Sequence, residues 1–427
     1  MFKITGYVTV VSLLKLNLQQ IFRYRIQNKF YKYHIINILI NKTQNKALIL
    51  LVLFAVSLVV PAQLYHNHSY NNFIIFRSSF SHLLHGMNLY GYFPKEYNDI
   101  YLYSPAFAVL MAPFSYIPIW AGLYLWTVIS CALIYVSIIQ LPGLDMPKLT
   151  AVFFIILLEL ITSLQNMQTN AIIAAFMVLA FISFEQKKVF FAAFFIVFAA
   201  YIKLFGLAAA MLFLLYPGRG KFVAYMFFWG LVFTILPLII VPVNQLIIQY
   251  QNWFHQMLDV HHGEDTMLFP NVAAPLSVMA WLRIWFGLKT NGIYIQLCGL
   301  ILLVLPLLRI NQYKNPVFRY FLISSILIFC VIFNHIAESP SYIIAVFGVA
   351  LWFVNEEKAP FAWILFVLAC IFTILSATSF FPEYVRHSYA IPKVWKVVPC
   401  IFIWIWIQAK LLFGKNFGKS LIPSHYN

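Results

Sequence analysis

The sequence predicts an all-α membrane protein, a single chain crossing the bilayer as about 12 transmembrane helices. Three observations predict it. The 427 residues are 63% hydrophobic and 9% charged, where a soluble domain carries about 25% charged residues. Apolar runs of roughly 20 residues recur along the whole length, and at ~1.5 Å per residue each matches a hydrocarbon core about 30 Å thick. Lysines and arginines gather in short clusters between these runs, as they do in cytoplasmic loops. A transmembrane β-barrel is excluded, because its strands alternate in short segments instead of running continuously apolar. The net charge of +16 is dispersed over the interhelical clusters, so the expected surroundings are a lipid bilayer and no nucleic acid.

The elements follow in order. Residues 1–46 carry eight Lys/Arg and no acid, and the apolar part of Ile4–Leu14 is too short to span. They read as a basic cytoplasmic or interfacial segment without a cleavable signal peptide. Residues 47–413 read as one transmembrane domain. A first span near Ala47–Tyr65 leads to an outer loop near 66–104. Within it, Phe73, Phe76, Phe80, Leu83 and Leu84 recur at helical spacing, which predicts a surface helix over Asn72–Leu84 ended by Gly86 and Asn88. The next tract is broken by Pro113 and Pro118, and its second half returns to Pro142–Lys148. Ala151–Ser163 goes out and Ala171–Phe184 comes back. Val189–Tyr216 lies between two basic clusters, so it must be an up-and-down pair of short helices turning near Lys203. Phe222–Val243 then exits to a second outer loop near 244–292, with an amphipathic helix over Pro275–Gly287. Spans follow at Ile293–Leu308, Tyr320–Phe333, Tyr342–Val354, Phe361–Phe380 and Val397–Phe413, before a basic tail over 414–427.

The charges agree with this walk. Twenty of the 28 basic residues fall inside, and seven of the 12 acids fall outside, with Glu159 within a span. Both termini are therefore expected in the cytoplasm of a multi-pass inner-membrane protein. The five cysteines lie in apolar stretches without ligand spacing and read as small core residues.

Chemistry is expected where polar groups collect in so apolar a chain. The loop after the first span holds Arg77, His82, His85, Lys95, Glu96 and Asp99. Asp99, or less directly Glu96, has the position to act as a general base; otherwise each is a solvated loop acid. Lys203, at the turn of the short pair, either binds a lipid phosphate or snorkels to the headgroups. Gln168 and Asn170 either donate to a sugar or phosphate or cap the helix that follows. Glu159 is an ion-pair partner for Lys203 or a neutral acid in a polar packing contact. In the second loop His255, Asp259, His261, His262, Glu264 and Asp265 cluster, yet adjacent histidines in a loop are poor metal-ligand spacing, and no metal site is expected. Arg283 on the amphipathic helix, and His335 and Glu338 at the outer end of a later span, either line the same cavity or, as the leading reading, are background.

Three segments together resemble the polyprenol-phosphate-dependent glycosyltransferases of family 87, multispanning enzymes of the C fold class. They are the opening stretch through Gly86, Leu89-Tyr90, Tyr103-Ser104-Pro105-Ala106-Phe107, Pro113-Phe114, Pro118 and Leu125-Trp126; then Gln168-Thr169-Asn170; then Ile202-Lys203-Leu204-Phe205. They anchor residues 65–220. The resemblance implies a C-type fold and transfer of a sugar such as mannose from a polyprenyl-phosphate donor to a lipid or glycan acceptor on the extracytoplasmic face. It implies inversion, a carboxylate base and no cofactor. On that reading Lys203, Arg77, Gln168 and Asn170 bind the donor or its phosphate, and Asn72, Tyr103 and Glu159 are candidates to contact substrate; Asp259 and His262, in the second loop beyond the resemblance, either bind the acceptor or are solvated loop residues. One departure stands out. Family members carry an aspartate, the expected base, where this chain has Asn72, and an amide accepts no proton at neutral pH. Asp99, with Glu96 second, is then the replacement base. The alternatives are a transporter or flippase of a lipid-linked saccharide, or an inactive relative that binds the lipid.

Overall fold

The computed structural model describes residues 43–262, 275–357, 359–376, 378 and 380–414. The chain separates into two compact units, Met1–Val52 and Leu53–Asn427. Of the first, the described residues are the opening turns of helix α1, Thr43–His66. The expectations for residues 1–42 and for the tail after 414 lie outside the described residues.

Among those residues the chain is all-helical. Five helices are long and apolar enough to cross a membrane: α1, α5 (Ile119–Ile139), α6 (Met146–Gln165), the Arg219–Ile239 stretch and the Trp395–Phe413 stretch. Between them lie shorter apolar helices, including α7 (Asn170–Glu185) and α8 (Val189–Ile202). The helix expected after the first span is present as α2, Asn71–Leu84, and ends at Gly86 with φ 73°, a conformation that glycine adopts without strain. The proline-broken tract becomes two short helices, α3 (Pro105–Leu110) and α4 (Ala112–Tyr116). Lys203 breaks the short pair as expected, with extended backbone between α8 and the tightly wound helix Leu204–Leu215.

The interior forms around helices that are apolar on every face. In α7 nearly every side chain from Asn170 to Phe184 is buried, the pattern of a helix ringed by others. The helices Pro316–Ile332 and Tyr342–Asn355 pack as closely. A Cβ on Gly348 would sit 2.7 Å from the Ser324 carbonyl oxygen, so only glycine permits that approach. By contrast α9, Arg219–Ile235, leaves Phe227 and Leu231 exposed, as a lipid-facing helix would.

The loops sort into two ends. At one, Arg319 pairs with Glu185 at 2.9 Å, Tyr320 donates to the Pro142 carbonyl at 2.7 Å, and Lys410 meets Glu356 at 3.4 Å. At the other, Trp285 donates to the Lys393 carbonyl at 2.7 Å and Tyr342 to that of Leu276 at 2.8 Å. Each contact joins loops that the charge pattern assigns to one side.

Two expectations are corrected. The stretch 244–292 is not a loop with one surface helix. It opens with α10, Val243–His262, a helix of 20 residues, before the expected amphipathic helix α11 at Val278–Phe286. Gln245 and Gln249, one turn apart on α10, donate to the carbonyls of Leu83 and Met87 at 3.1 and 2.8 Å and so fasten it to the end of α2. Among the cysteines, Cys298 is exposed rather than packed in the core.

Candidate active site

The polar groups of three separate segments meet at one end of the helices. The turn from α6 to α7 passes through Met167, held at φ 48°, and presents Gln168 and Asn170. The break after α8 presents Lys203. The loop before Tyr342–Asn355 presents Glu338 and Ser341. Lys203 Nζ donates to Asn170 Oδ1 at 3.0 Å, Asn170 Nδ2 donates to Gln168 Oε1, and Gln168 Nε2 donates to Glu338 Oε2 at 2.7 Å. Ser341 Oγ lies 3.5 Å from Asn170 Nδ2. The result is a chain of hydrogen bonds from a cation to a carboxylate through two neutral amides.

Aromatic packing fixes the floor. The Lys203 ammonium lies 6.0 Å from the centre of the Tyr103 ring, which stacks on Phe107 at 4.8 Å and meets Phe76 of α2 edge-on at 5.0 Å. Ser104 caps α3 and also donates from Oγ to the Tyr201 carbonyl at 2.6 Å, which ties this segment to the end of α8.

Asp99 stands at the rim. Its side chain reaches the surface, yet packing on its inner side strips enough water to hold the carboxyl above the ordinary carboxylate range. The Ile100 N–H, donating to Oδ1 at 2.8 Å, opposes that rise, and the charge of Glu338 adds to it. The two carboxylates are therefore electrostatic neighbours. Asp99 also has φ 102°, a backbone region that non-glycine residues rarely occupy. Asn72 of α2 donates from Nδ2 to the Asn166 carbonyl at 2.8 Å, which joins the surface helix to the turn carrying Gln168. An aspartate there would turn a lone pair towards that carbonyl, so the amide has a structural reason to stand at this position.

Lys203, Asn170, Gln168 and Tyr103 thus come together with Asp99 at their edge and Asn72 bracing them. Three other candidates are engaged elsewhere. Glu96 pairs with His82 at 3.0 Å, whose ring stacks on Phe93 at 4.0 Å, so it latches its own loop. Arg77 donates to the Ser115 and Ile117 carbonyls at 3.1 and 3.2 Å, closing the end of α4. Glu159 does not pair with Lys203. It binds Lys396 at 2.7 Å, and Lys396 also donates to Ser339 at 3.0 Å. The side chains of Asp259 and His262 lie outside the described residues. Glu338, for which the background reading led, joins the site through Gln168.

Apolar grooves lie nearby. One of about 520 Å³ runs between α9 and α10, lined by Thr234, Leu238, Leu246, Tyr250 and Phe254. A second, of about 480 Å³, shares Thr234 and reaches Tyr201, two residues before Lys203.

The family model of glycosyltransferase family 87 matches residues 101–333, more than half of the chain. The matched span includes Tyr103, Gln168, Asn170 and Lys203, and it leaves Asn72, Asp99 and Glu338 outside. No curated protein matches the chain.

Proposed function

The chain belongs to glycosyltransferase family 87, and from that premise we propose that it transfers one sugar, of the mannose type, from a polyprenyl-phosphate donor to a lipid or glycan acceptor. It acts on the extracytoplasmic face of the plasma membrane, with all the apolar helices crossing and both termini in the cytoplasm. The donor's isoprenoid tail lies in the apolar grooves beside α9. Its phosphate is neutralised by Lys203, whose ammonium is a compact point charge. Asn170 accepts from that ammonium and Gln168 holds Asn170 in turn, and the two amides donate their remaining N–H groups to phosphate or sugar oxygens.

Asp99 takes the proton of the acceptor hydroxyl as that oxygen attacks the anomeric carbon. The bond from that carbon to the phosphate oxygen breaks, and the polyprenyl phosphate leaves with the electron pair. One displacement of this kind inverts the anomeric centre. A carboxyl raised above its usual range is the stronger base, which suits it to the task at neutral pH. No cofactor enters this scheme.

One observation carries the reading: Lys203 is met by a neutral amide where a buried ammonium ordinarily finds a carboxylate. Membranes containing the protein, supplied with radiolabelled polyprenyl-phosphate hexoses and native lipid extract, should transfer sugar, and Asp99→Asn should abolish it. Full transfer by Asp99→Asn would remove Asp99 as the base.

A further inference from the structure

The rim residue Asp99 is held by a contact that begins 28 residues earlier in the chain. Asn71, the first residue of α2, turns its amide away from its own helix. Its Oδ1 accepts from the Asn98 N–H at 2.9 Å, and its Nδ2 donates to the Asn98 carbonyl. An asparagine amide carries one donor and one acceptor side by side, so it pairs with both backbone groups of a single residue as a neighbouring strand would. Aspartate can only accept there, and serine is too short to reach both.

Asparagine serves a helix from the N-cap position, accepting from the exposed N–H groups of the first turn, and Asn71 stands one residue past the cap, Tyr70. Here α2 begins without any side-chain cap, the preceding Tyr70 makes none, and the Asn71 amide is committed to residue 98. The Asn71 amide therefore serves the loop and not its own helix.

The beneficiary is the next residue. Asp99 occupies φ 102°, where a side chain costs about 1–3 kcal/mol and persists only if its surroundings enforce it. With Asn98 clamped on both backbone groups, the chain has little freedom to relax out of that conformation. Its Oδ1 is occupied by the Ile100 N–H, and among the described residues no protein group donates to Oδ2. One oxygen is anchored and the other is presented. Asn72, the next residue of α2, fixes the same helix start to Asn166 at 2.8 Å, so clamp and donor-binding turn share one frame.

We propose that Asn71 is a positioning residue for the base: its two-point clamp on Asn98 holds Asp99 Oδ2 towards the acceptor hydroxyl. This rests on the reading of Asp99 given above. The test compares Asn71→Ala, Asn71→Ser and Asp99→Asn in full-length protein in nanodiscs, with the radiolabelled polyprenyl-phosphate hexoses and native lipid extract. Because a misplacement of about 1 Å costs up to ~100-fold, Asn71→Ala should lower kcat at least tenfold while KM for the donor stays within about twofold. Asn71→Ser keeps a small polar side chain but cannot make both bonds of the clamp; it should be as impaired as alanine. Hydrogen exchange, which needs no donor, should rise at the Asn98 and Ile100 amides in both variants while α2 stays protected. Wild-type kcat in Asn71→Ala, or recovery in Asn71→Ser, overturns the inference and leaves Asp99 standing if Asp99→Asn is inactive. Full activity in Asp99→Asn overturns the parent reading, and the inference with it.

Discussion

Lys396 and Lys203 are both lysines set among apolar helices, and each ammonium lies near a tyrosine ring, Tyr342 at 5.0 Å and Tyr103 at 6.0 Å. Their surroundings then diverge. Lys396 is 3% exposed and is satisfied from 237 residues away by Glu159 at 2.7 Å, with Ser339 at 3.0 Å as a second acceptor. Lys203 is half-buried and its one hydrogen bond among the described residues goes to the amide oxygen of Asn170. Glu338 acts on it electrostatically but not as an ion-pair partner. Removing an ammonium from water costs several kcal/mol, commonly offset by a carboxylate. The fold supplies that carboxylate to Lys396 and withholds it from Lys203. The first lysine is part of the scaffold, and on the function proposed above the second is the cation that meets the donor's phosphate.

Substitutions that strip each lysine of its role should separate them, and the largest effect falls on the scaffold. Lys396→Met leaves Glu159 buried without a partner and should cost about 3–5 kcal/mol of stability, read by thermal unfolding in detergent. Adding Glu159→Leu should restore most of the loss, since an apolar pair of similar volume is tolerated in such sites. If the single variant melts like wild type, Lys396 is not structural. Next in size, Lys203→Met should leave the melting temperature unchanged or higher. Its kcat/KM should drop on the order of 10–100-fold, the equivalent of ~1.5–3 kcal/mol for a charged hydrogen bond. A stability loss like that of Lys396→Met would erase the distinction between them.

The rim carboxylates sharpen the comparison through pH. Because Asp99 is raised, transfer should fail on acidification at a pH above aspartate's ordinary ~3.9. The sign for stability is opposite to that of a salt-bridged acid. The folded protein binds the Asp99 proton more tightly than the unfolded chain, so this contribution is full below the unfolded pKa. It is lost as pH rises through the folded one. Asp99→Asn should flatten that part of a stability-versus-pH curve. The smallest effect belongs to Glu338→Gln. Removing a charge that raises Asp99 should move the acid limb of the rate profile to lower pH, while Gln168 keeps an acceptor.

Much of the fold is legible because hydrophobic length and basic clusters are local signals. The surface helix ending at Gly86, the proline-broken tract, and the reversal at Lys203 all follow from residues within one turn of the feature. Helix α10 escapes because its apolar residues are interleaved with Gln245, Gln249, Asn252 and His255, so its mean hydropathy is too low for a search for spans. The i, i+4 pair Gln245/Gln249 was the available sign of a helix face applied to another segment. In the candidate site, Lys203, Gln168 and Asn170 stand out as polar residues in an apolar context. The partners do not. Glu159 reaches Lys396 and Gln168 reaches Glu338 across 237 and 170 residues, and no local pattern encodes such pairings. Arg77 and Glu96 drew attention by charge alone, and charge says nothing of whether a carbonyl or a histidine already occupies it.

The most direct test of the open cation is equilibrium binding of polyprenyl phosphate, without sugar, to the protein in nanodiscs. Lys203→Met and the Lys396→Met/Glu159→Leu pair would be run beside wild type. The account predicts at least tenfold weaker binding for Lys203→Met, equivalent to about 1.4 kcal/mol or more, and wild-type affinity for the double variant. Unchanged affinity in Lys203→Met would contradict it.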